Sequence, residues 1–409
     1  MQNKQQAIGL IKQLGPGLLY AGAAIGVSHV VQSTRAGAEF GYQLIIAIIF
    51  IHFIKYPFFK FGPAYATATG NHLIHGYAKL GKWAVFAFIT YTLCTMFIVQ
   101  SAVTLVTAGI ASQLFGVDIK ITACCILGIC ATLLLVGRFQ LLDKLMKIII
   151  VVLAITSLVT CFLAFWDEGS IEHQQLFSFR NEYHVVFLIA LLGWMPAPLD
   201  ISVWHSVWTV KKQQDVNSNM RAATLDFNLG FWGTALLAIC FLLLGAITFH
   251  EQQTPLSESG TAFAGQLITM YTDKLGKGML ALIATAVLTT MFSTTLTCLD
   301  AFPRVLSPSF KLLHKAKWMS HYTCWLLITT VGSCIVLLFL TGSMRALVDF
   351  ATIVSFVAAP IIAILNYRVV CHKSMPVAFR PKKHMHLLAK IGIVFLSGFS
   401  IYYLFLLLS

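Results

Sequence analysis

The hydrophobic residues of this chain occur in long continuous runs, separated by short segments that contain most of the charged residues. Runs of about 18 residues or more are long enough to cross a hydrocarbon core of about 30 Å as a helix. The pattern predicts eleven membrane spans, at about 14–37, 43–63, 83–114, 120–137, 144–166, 184–208, 226–249, 277–302, 319–341, 347–371 and 387–408. The predicted fold class is therefore an all-α polytopic membrane protein.

Two of these spans contain helix-breaking residues. Span one carries Gly15-Pro16-Gly17, Gly22 and Gly26, and span six carries Gly193 followed by Met195-Pro196-Ala197-Pro198. Lipid offers no hydrogen-bond partners, so interrupted helices are tolerated at membrane depth where they line a cavity. We therefore expect a transport site between the two breaks, with Gly22, Pro196 and Pro198 among the residues that form them.

The two breaks lie about five spans apart, which is typical of a five-plus-five inverted repeat with substrate bound at the bilayer midplane. We predict a single transmembrane domain over 1–409, with repeat one at about 14–166, repeat two at about 184–371, and a peripheral extra helix at about 387–408. A surface helix is predicted around Thr261–Tyr271.

The composition excludes a soluble globular protein, because 58% of the residues are hydrophobic and 11% charged, against about 25% charged in soluble domains. Lysine and arginine are retained on the cytoplasmic side of short loops. With the N-terminus inside, 22 of the 28 fall on the inner side, and the other six are Arg35, Lys120, Arg180, Lys274, Lys277 and Arg345. This predicts a multi-pass protein of the plasma membrane with a cytoplasmic N-terminus and an extracytoplasmic C-terminus.

The formal net charge of +13 is explained by this topology and by anionic headgroups. The expected partners are therefore the lipid bilayer and a transported ion or small solute, without nucleic acid, and the protein is expected to be monomeric. No cofactor is expected beyond a transported divalent metal ion. The ten cysteines show no CxxC spacing, which suggests neither disulfides nor a zinc site.

An enzyme is not expected. An intramembrane metallohydrolase needs clustered ligands such as HExxH, and His250-Glu251-Gln252-Gln253 lacks the second histidine. No GxxxxGK[ST] loop occurs in the sequence, which excludes ATP-driven pumping by this chain alone.

Several motifs resemble the NRAMP (natural resistance-associated macrophage protein) family of divalent-metal transporters. They are GPGLLYAGAAI at 15–25, AGAEFGY at 36–42, GRFQLLDKL at 137–145, and Met195-Pro196 in span six. The likeness, in order and spacing, covers most of the chain. It implies a leucine-transporter-type fold with broken helices one and six, alternating access and, in typical members, symport of protons with Mn²⁺ or Fe²⁺.

The sequence departs from this family at its metal-binding motifs. The Asp-Pro-Gly-Asn signature, whose Asp and Asn hold the metal, falls on Gly26-Val27-Ser28-His29, so both oxygen ligands are missing. Met-Pro-His-Asn falls on Met195-Pro196-Ala197-Pro198, which keeps the methionine and loses the histidine. Span three, which carries acidic proton-path residues in typical members, has no acid between Trp83 and Gly109.

Nitrogen and sulfur ligands favour a soft or borderline ion, whereas hard ions need several oxygens. The candidate binding residues at the breaks are Gly26, the Ser28 hydroxyl, His29, Met195, and the backbone carbonyls near Ala23 and Leu192. In the alternative interpretation, His29 bonds a neighbouring carbonyl and Met195 fills the core.

Asp200 lies within span six, two residues beyond Pro198. A carboxylate near the bilayer interior costs at least a few kcal/mol unless it is paired or hydrated. We therefore expect Asp200 to face a cavity and a partner, as a third metal ligand beside His29 and Met195 or as a proton carrier. The alternative is that it caps the half-helix that follows Pro198.

Other polar residues in the spans have structural or coupling interpretations. Thr290, Ser293 and Thr294 are candidates for sodium coupling, because span eight faces span one in this architecture; helix packing is the alternative. Arg35 and Glu39 are one helical turn apart and predict an exposed ion pair on the vestibule rim.

The place of four further residues in the spans predicts their roles. Lys55, like Lys60, is expected to extend to the headgroups. His52 is expected to be a satisfied core histidine, and Asp226 to cap a helix where span seven begins.

The sequence thus favours a secondary active transporter that moves a divalent metal ion through an atypical binding site. An anion or small organic solute is the alternative substrate, because helix N-termini at the breaks direct partial positive charge to the centre. A sensor that has kept the fold and lost transport is the third hypothesis.

Overall fold

The computed structural model describes residues 15–137, 139–167, 177–215, 220–250, 254–314, 317–339 and 343–408, and every regular element in them is a helix. The α-helices are α1 Pro16–Ala24, α2 Thr34–Phe40, α3 Ile45–Thr69, α4 Leu73–Leu80, α5 Lys82–Phe115, α6 Ile119–Val136, α7 Phe139–Asp167, α8 Glu182–Trp194, α9 Ile201–Asp215, α10 Met220–Gly245, α11 Gly260–Leu275, α12 Leu280–Leu312, α13 Tyr322–Phe339, α14 Met344–Cys371 and α15 Lys383–Leu408. Single π-helical segments, Val27–Ser33 and Ala246–His250, precede α2 and follow α10.

Some sequence predictions fall outside the described residues. These are residue 14 and residues 340–341 of the predicted spans, Lys4, Lys12, Arg138 and Lys315 of the charge count, and residues 251–253 of the His250 motif.

Among the described residues, eight helices are long and apolar enough to cross a membrane: Ile45–Thr69, Lys82–Phe115, Ile119–Val136, Met220–His250, Lys277–Leu312, Tyr322–Phe339, Met344–Cys371 and Lys383–Leu408. The other three predicted spans correspond to the broken pair α1 and α2, to α7, and to the broken pair α8 and α9. The predicted fold class, with helices one and six broken, is confirmed.

The first broken helix packs against α10 at unusually short distance, because glycines line the contact. A Cβ at Gly37 would collide with the carbonyl oxygen of Leu242, and one at Gly230 would collide with that of Gly17. Any side chain at these positions would push the two helices apart. The glycines of span one therefore position α1 and α2 as well as interrupting them.

Asp226 of α10 caps a helix, although not its own. Its carboxylate accepts hydrogen bonds from the backbone N–H of Gly15 at 3.0 Å and of Gly17 at 2.6 Å. These are N–H groups at the start of α1, which have no acceptor within the helix. The prediction that Asp226 caps the start of span seven is therefore wrong in its target, since the bundle brings α10 beside the start of α1.

The predicted surface helix around Thr261–Tyr271 is present as α11. One face of it is buried in the bundle, with Phe263, Leu267 and Tyr271 at most 2% exposed.

The first broken helix gives the bundle two ends. We call the end of the bundle at Pro16, where α1 begins, the starting side. We call the end at Phe40, where α2 ends, the opposite side.

Candidate functional site

The two broken helices end for different local reasons. α1 ends at Ala24, and Ile25 and Gly26 link it to the π-helical segment Val27–Ser33. α8 ends at Trp194, and Met195 to Asp200 form a non-helical link before α9. A carbonyl in a helix bonds the N–H four residues later, and Pro196 and Pro198 have none. The carbonyls of Leu192 and Trp194 therefore lack their helical partners.

A cleft lies between the two breaks. It is lined from the first broken helix, α5, the second broken helix and α12, by Ala23, Ala24, Val27, Ser28, Val99, Val103, Trp194, Pro198, Ile201, Trp204, Thr294 and Cys298. Four predicted site residues are among these: Ala23, Ser28, Pro198 and Thr294. The lining is largely apolar, and its polar side-chain atoms include two hydroxyls and one thiol.

Gly26 lies in close contact with Thr294, a residue that lines the cleft. A Cβ at Gly26 would lie 2.7 Å from the hydroxyl oxygen of Thr294, so glycine allows α12 to approach the break. The Thr294 hydroxyl also lies 3.4 Å from the Gly22 carbonyl oxygen and 3.1 Å from that of Thr290. Gly22, predicted at the break, lies inside the last turn of α1.

His29 is fully buried and is held by carbonyls. Its Nδ1 lies 2.9 Å from the Ala24 carbonyl oxygen and 2.7 Å from the Ser28 hydroxyl, and its Nε2 lies 3.0 Å from the carbonyl oxygen of Thr234 on α10. Both ring nitrogens are thus engaged. This is the arrangement of the alternative interpretation, in which His29 bonds neighbouring carbonyls, and metal binding requires the ring to leave them.

The three predicted metal ligands are all buried, and their role as ligands stays a prediction. Met195 is fully buried, and its sulfur lies 4.0 Å from the hydroxyl of Ser33. Within the described part of the chain, no three His, Cys, Asp or Glu side chains are grouped closely enough to hold a metal ion. His29, Met195 and Asp200 are also absent from the described residues that line the cleft.

Asp200 is 3% exposed at the start of α9. The backbone amides of Asp200 and Ile201 interact with its carboxylate, which agrees with a helix-capping role. Its Oδ1 has no hydrogen-bond partner among the described residues, and the carboxylate attracts the ammonium of Lys55. The site thus leaves one acceptor of Asp200 unused.

The buried position of Lys55 contradicts the prediction that its side chain extends to the headgroups. It is fully buried, and its ammonium donates hydrogen bonds to the carbonyl oxygens of Leu192 at 2.7 Å and Gly193 at 2.8 Å. The orphaned carbonyls at the end of α8 accept these hydrogen bonds at the negative end of the helix dipole, where a cation is favourable. The Leu192 carbonyl, predicted to face the substrate, is occupied by Lys55 in this conformation.

The structure also places three other polar residues for which the sequence predicted a role, Thr290, Ser293 and His52. Thr290 is fully buried and its hydroxyl has no partner among the described residues, while Ser293 is 5% exposed. Their role in sodium coupling stays a prediction. His52 bonds the Ile48 carbonyl through Nδ1 at 2.7 Å, but its Nε2 is buried without a partner in the described chain, so it is only half satisfied.

The family model for natural resistance-associated macrophage protein-like (Nramp) proteins matches residues 17–406. This chain belongs to the Nramp-like family. A protein of Pasteurella multocida (strain Pm70), described as "Uncharacterized protein PM0681", is 32% identical over 399 residues, which is 96% of this chain and 91% of that protein.

Solved structures of low sequence identity share the fold of this Nramp-like protein. A variant of the Eremococcus coleocola manganese transporter is 15% identical with a TM-score of 0.72, covering 96% of this chain and 86% of that one. MHP1, a nucleobase-cation-symport-1 family transporter in a closed conformation, is 13% identical with a TM-score of 0.61, covering 96% and 92%. The Nramp resemblance inferred from the motifs is confirmed.

On the opposite side, the Nramp-like protein carries an ion-pair cluster that the sequence only partly predicted. Arg35 does lie 3.8 Å from Glu39, but it is 4% exposed and pairs more closely with Asp349 of α14, at 2.6 Å. The prediction of an exposed pair is therefore wrong. Arg345 connects the same cluster to Glu39 at 3.3 Å and to Glu258 at 3.5 Å.

Three residues that the structure places at the cleft or in the ion-pair cluster of this Nramp-like protein were not predicted as site residues from the sequence. Cys298 and Trp204 line the cleft, and Asp349 joins the first broken helix to α14. An ionisable residue near an apolar span was a usable signal for Asp349. Nothing in the sequence distinguished Cys298 from the other nine cysteines, all of which are also free.

Proposed function

We propose that this protein is a secondary transporter that moves a divalent metal ion across the plasma membrane by alternating access. One observation carries the proposal: in a chain of the Nramp-like family, residues of two broken helices line the same cleft. Interrupted helices of this kind bind substrate at the midplane in transporters. The manganese transporter that shares this fold supports a metal as cargo.

The donors around the cleft favour a soft or borderline ion. Its lining offers the thiol of Cys298, the hydroxyl of Ser28 and the backbone at Ala23, where α1 is about to end. A thiolate suits Zn²⁺ and related soft ions, while Mg²⁺ and Ca²⁺ need several oxygen ligands. We therefore infer that Cd²⁺ and Zn²⁺ bind more tightly than Mg²⁺, with the thiol as the selective ligand.

The ion-pair cluster on the opposite side supports an outer gate. Its ion pairs join α2 to α14, through Arg35 and Asp349, and join α14 to the segment before α11, through Arg345 and Glu258. These elements must separate for a path to open on that side. The lysine and arginine distribution supports the starting side as the cytoplasmic one. In this arrangement the gate closes the extracytoplasmic entrance.

Uptake by the purified protein in liposomes tests the proposal. Entry of Mn²⁺, Cd²⁺, Zn²⁺ and Mg²⁺ is compared for the wild type, for Cys298→Ala, and for the matched control Cys125→Ala, an exposed cysteine of α6. We expect saturable metal entry, with Cys298→Ala losing Cd²⁺ uptake by about tenfold or more and Mn²⁺ uptake less. Absence of flux for every divalent ion would overturn the proposal.

A further inference from the structure

We propose that Lys55 is a built-in cation of this transporter: its ammonium occupies a carbonyl site at the break of α8 that would otherwise require a free monovalent cation. The proposal goes beyond the function given above, because it concerns the ion requirement of the protein rather than its cargo. It rests on the contacts of one fully buried lysine.

The acceptors come from the break itself. Pro196 cannot donate to the Leu192 carbonyl, and the chain leaves the helix before Ala197 can donate to that of Gly193. These carbonyls also lie at the negative end of the α8 dipole. In transporters with discontinuous helices, such unwound carbonyls and half-helix C-termini coordinate coupling cations. The break of α8 thus has the chemistry of a cation site.

Lys55 matches this site donor for acceptor. An ammonium has three N–H donors and no acceptor. Its Nζ lies 2.7 Å from the Leu192 oxygen, 2.8 Å from the Gly193 oxygen and 3.4 Å from the Ala197 oxygen. The side chain is 0% exposed, so the protein supplies all three partners without solvent.

The surrounding charge supports an ammonium at this place. An unpaired buried charge is costly, and the cost falls when the charge is paired and fully hydrogen-bonded. Asp200, on the far side of the break, attracts Lys55 and is itself 3% exposed. The lysine therefore links α3 to the end of α8 and to Ala197 in the segment that follows it, and it occupies the break in place of a dissolved ion.

Chemical rescue tests this inference without any substrate, so its failure is distinguishable from failure of the transport proposal. Lys55→Ala removes the ammonium and leaves space for a small amine. Thermal unfolding in detergent is followed in choline chloride and then with added sodium, ammonium or ethylammonium chloride. Lys60→Ala, on the same helix, is the matched control, since Lys60 contacts the Tyr56 hydroxyl at 3.4 Å and not the break.

We expect Lys55→Ala to unfold at lower temperature than the wild type, and ethylammonium to raise its Tm saturably by about 2 °C or more. Choline, which has no N–H donor, should not do so, and neither the wild type nor Lys60→Ala should respond. Equal responses of Lys55→Ala and Lys60→Ala to ethylammonium would overturn the proposal.

Two further measurements keep the test decisive. If Lys55→Ala does not fold, Lys55→Met keeps the apolar stem, and its Tm should rise with ammonium but not with choline. In wild-type liposomes, replacement of internal and external sodium and potassium by choline should leave uptake unchanged within twofold. A Lys55→Met protein whose Tm does not respond to ammonium contradicts a built-in cation, and so does wild-type uptake that is lost when choline replaces sodium and potassium.

Discussion

Arg35 donates to both carboxylate oxygens of Asp349, with Nη1 2.6 Å from Oδ1 and Nη2 3.2 Å from Oδ2. The two residues lie 314 positions apart in sequence and join the first broken helix to α14. Arg35 also donates to Gln32 at 2.8 Å and stacks over Phe187 of α8 at 5.2 Å. This one guanidinium therefore links the first broken helix, α8 and α14.

Asp349→Asn should open this side more often. The substitution leaves Arg35 without its main counter-charge, and breaking a partly buried ion pair of this kind costs about 1–3 kcal/mol. In a cysteine-free background, Val31→Cys beside the pair should react faster with a membrane-impermeant thiol reagent when Asp349→Asn is present. The control is Asp273→Asn, on the exposed face of α11. Equal rates in the two backgrounds would show that the pair does not hold the entrance closed.

Gly26→Ala should destabilise the first break by overpacking. The added methyl group would lie 2.7 Å from the Thr294 hydroxyl oxygen and 2.8 Å from its methyl carbon, so α12 must move. Overpacking of this kind costs about 1–3 kcal/mol. Thermal unfolding should show the loss, and adding Thr294→Ala should recover part of it.

The matched control for this substitution is Gly233→Ala on α10. No atom lies within 4 Å of a Cβ built at Gly233, so the same change should leave stability unaltered or slightly raised. If Gly26→Ala and Gly233→Ala unfold at the same temperature, the close approach of α12 is not a constraint on the break.

His29→Ala should lower stability without changing ion selectivity. The ring bridges Ala24 and the α10 carbonyl of Thr234, and losing such buried hydrogen bonds costs about 1–3 kcal/mol. The ratio of Cd²⁺ to Mn²⁺ uptake should therefore stay as in the wild type while the Tm falls. His321→Ala, at an exposed position, is the control. A changed selectivity ratio at unchanged Tm would instead identify His29 as a metal ligand.

Asp226→Asn should loosen the start of α1. The amide keeps one acceptor oxygen for two backbone N–H groups, and losing part of a cap costs about 1 kcal/mol. Hydrogen exchange of the amides in 15–20 should accelerate. Asp118→Asn, at the exposed cap of α6, is the control: one oxygen accepts both backbone bonds there and the amide keeps that oxygen, so exchange around 119–122 should stay nearly unchanged. Unchanged exchange at 15–20 in Asp226→Asn would show that the cap does not stabilise α1.

The membrane helices and the positions of the two breaks follow from the sequence. Long apolar runs can satisfy their backbone in lipid only as helices, and glycine and proline mark where the helices stop. The break at Met195 to Pro198 was predicted within a few residues, because proline removes specific hydrogen-bond donors wherever it occurs. The motifs at 15–25, 36–42 and 137–145, together with Met195-Pro196, predicted the family.

Only the tertiary structure decided which groups complete the breaks. Lys55 lies 137 residues from Leu192, His29 lies 205 residues from Thr234, and Asp226 lies 209 residues from Gly17. Hydropathy and helix-breaking signals are local, so they predict that orphaned carbonyls and amides exist but not which distant side chain reaches them. The ammonium of a lysine near a predicted helix end can bind either the lipid headgroups or buried carbonyl oxygens. The packing of α3 against the second broken helix selects the acceptor, since three carbonyls without helical partners lie within reach of its ammonium.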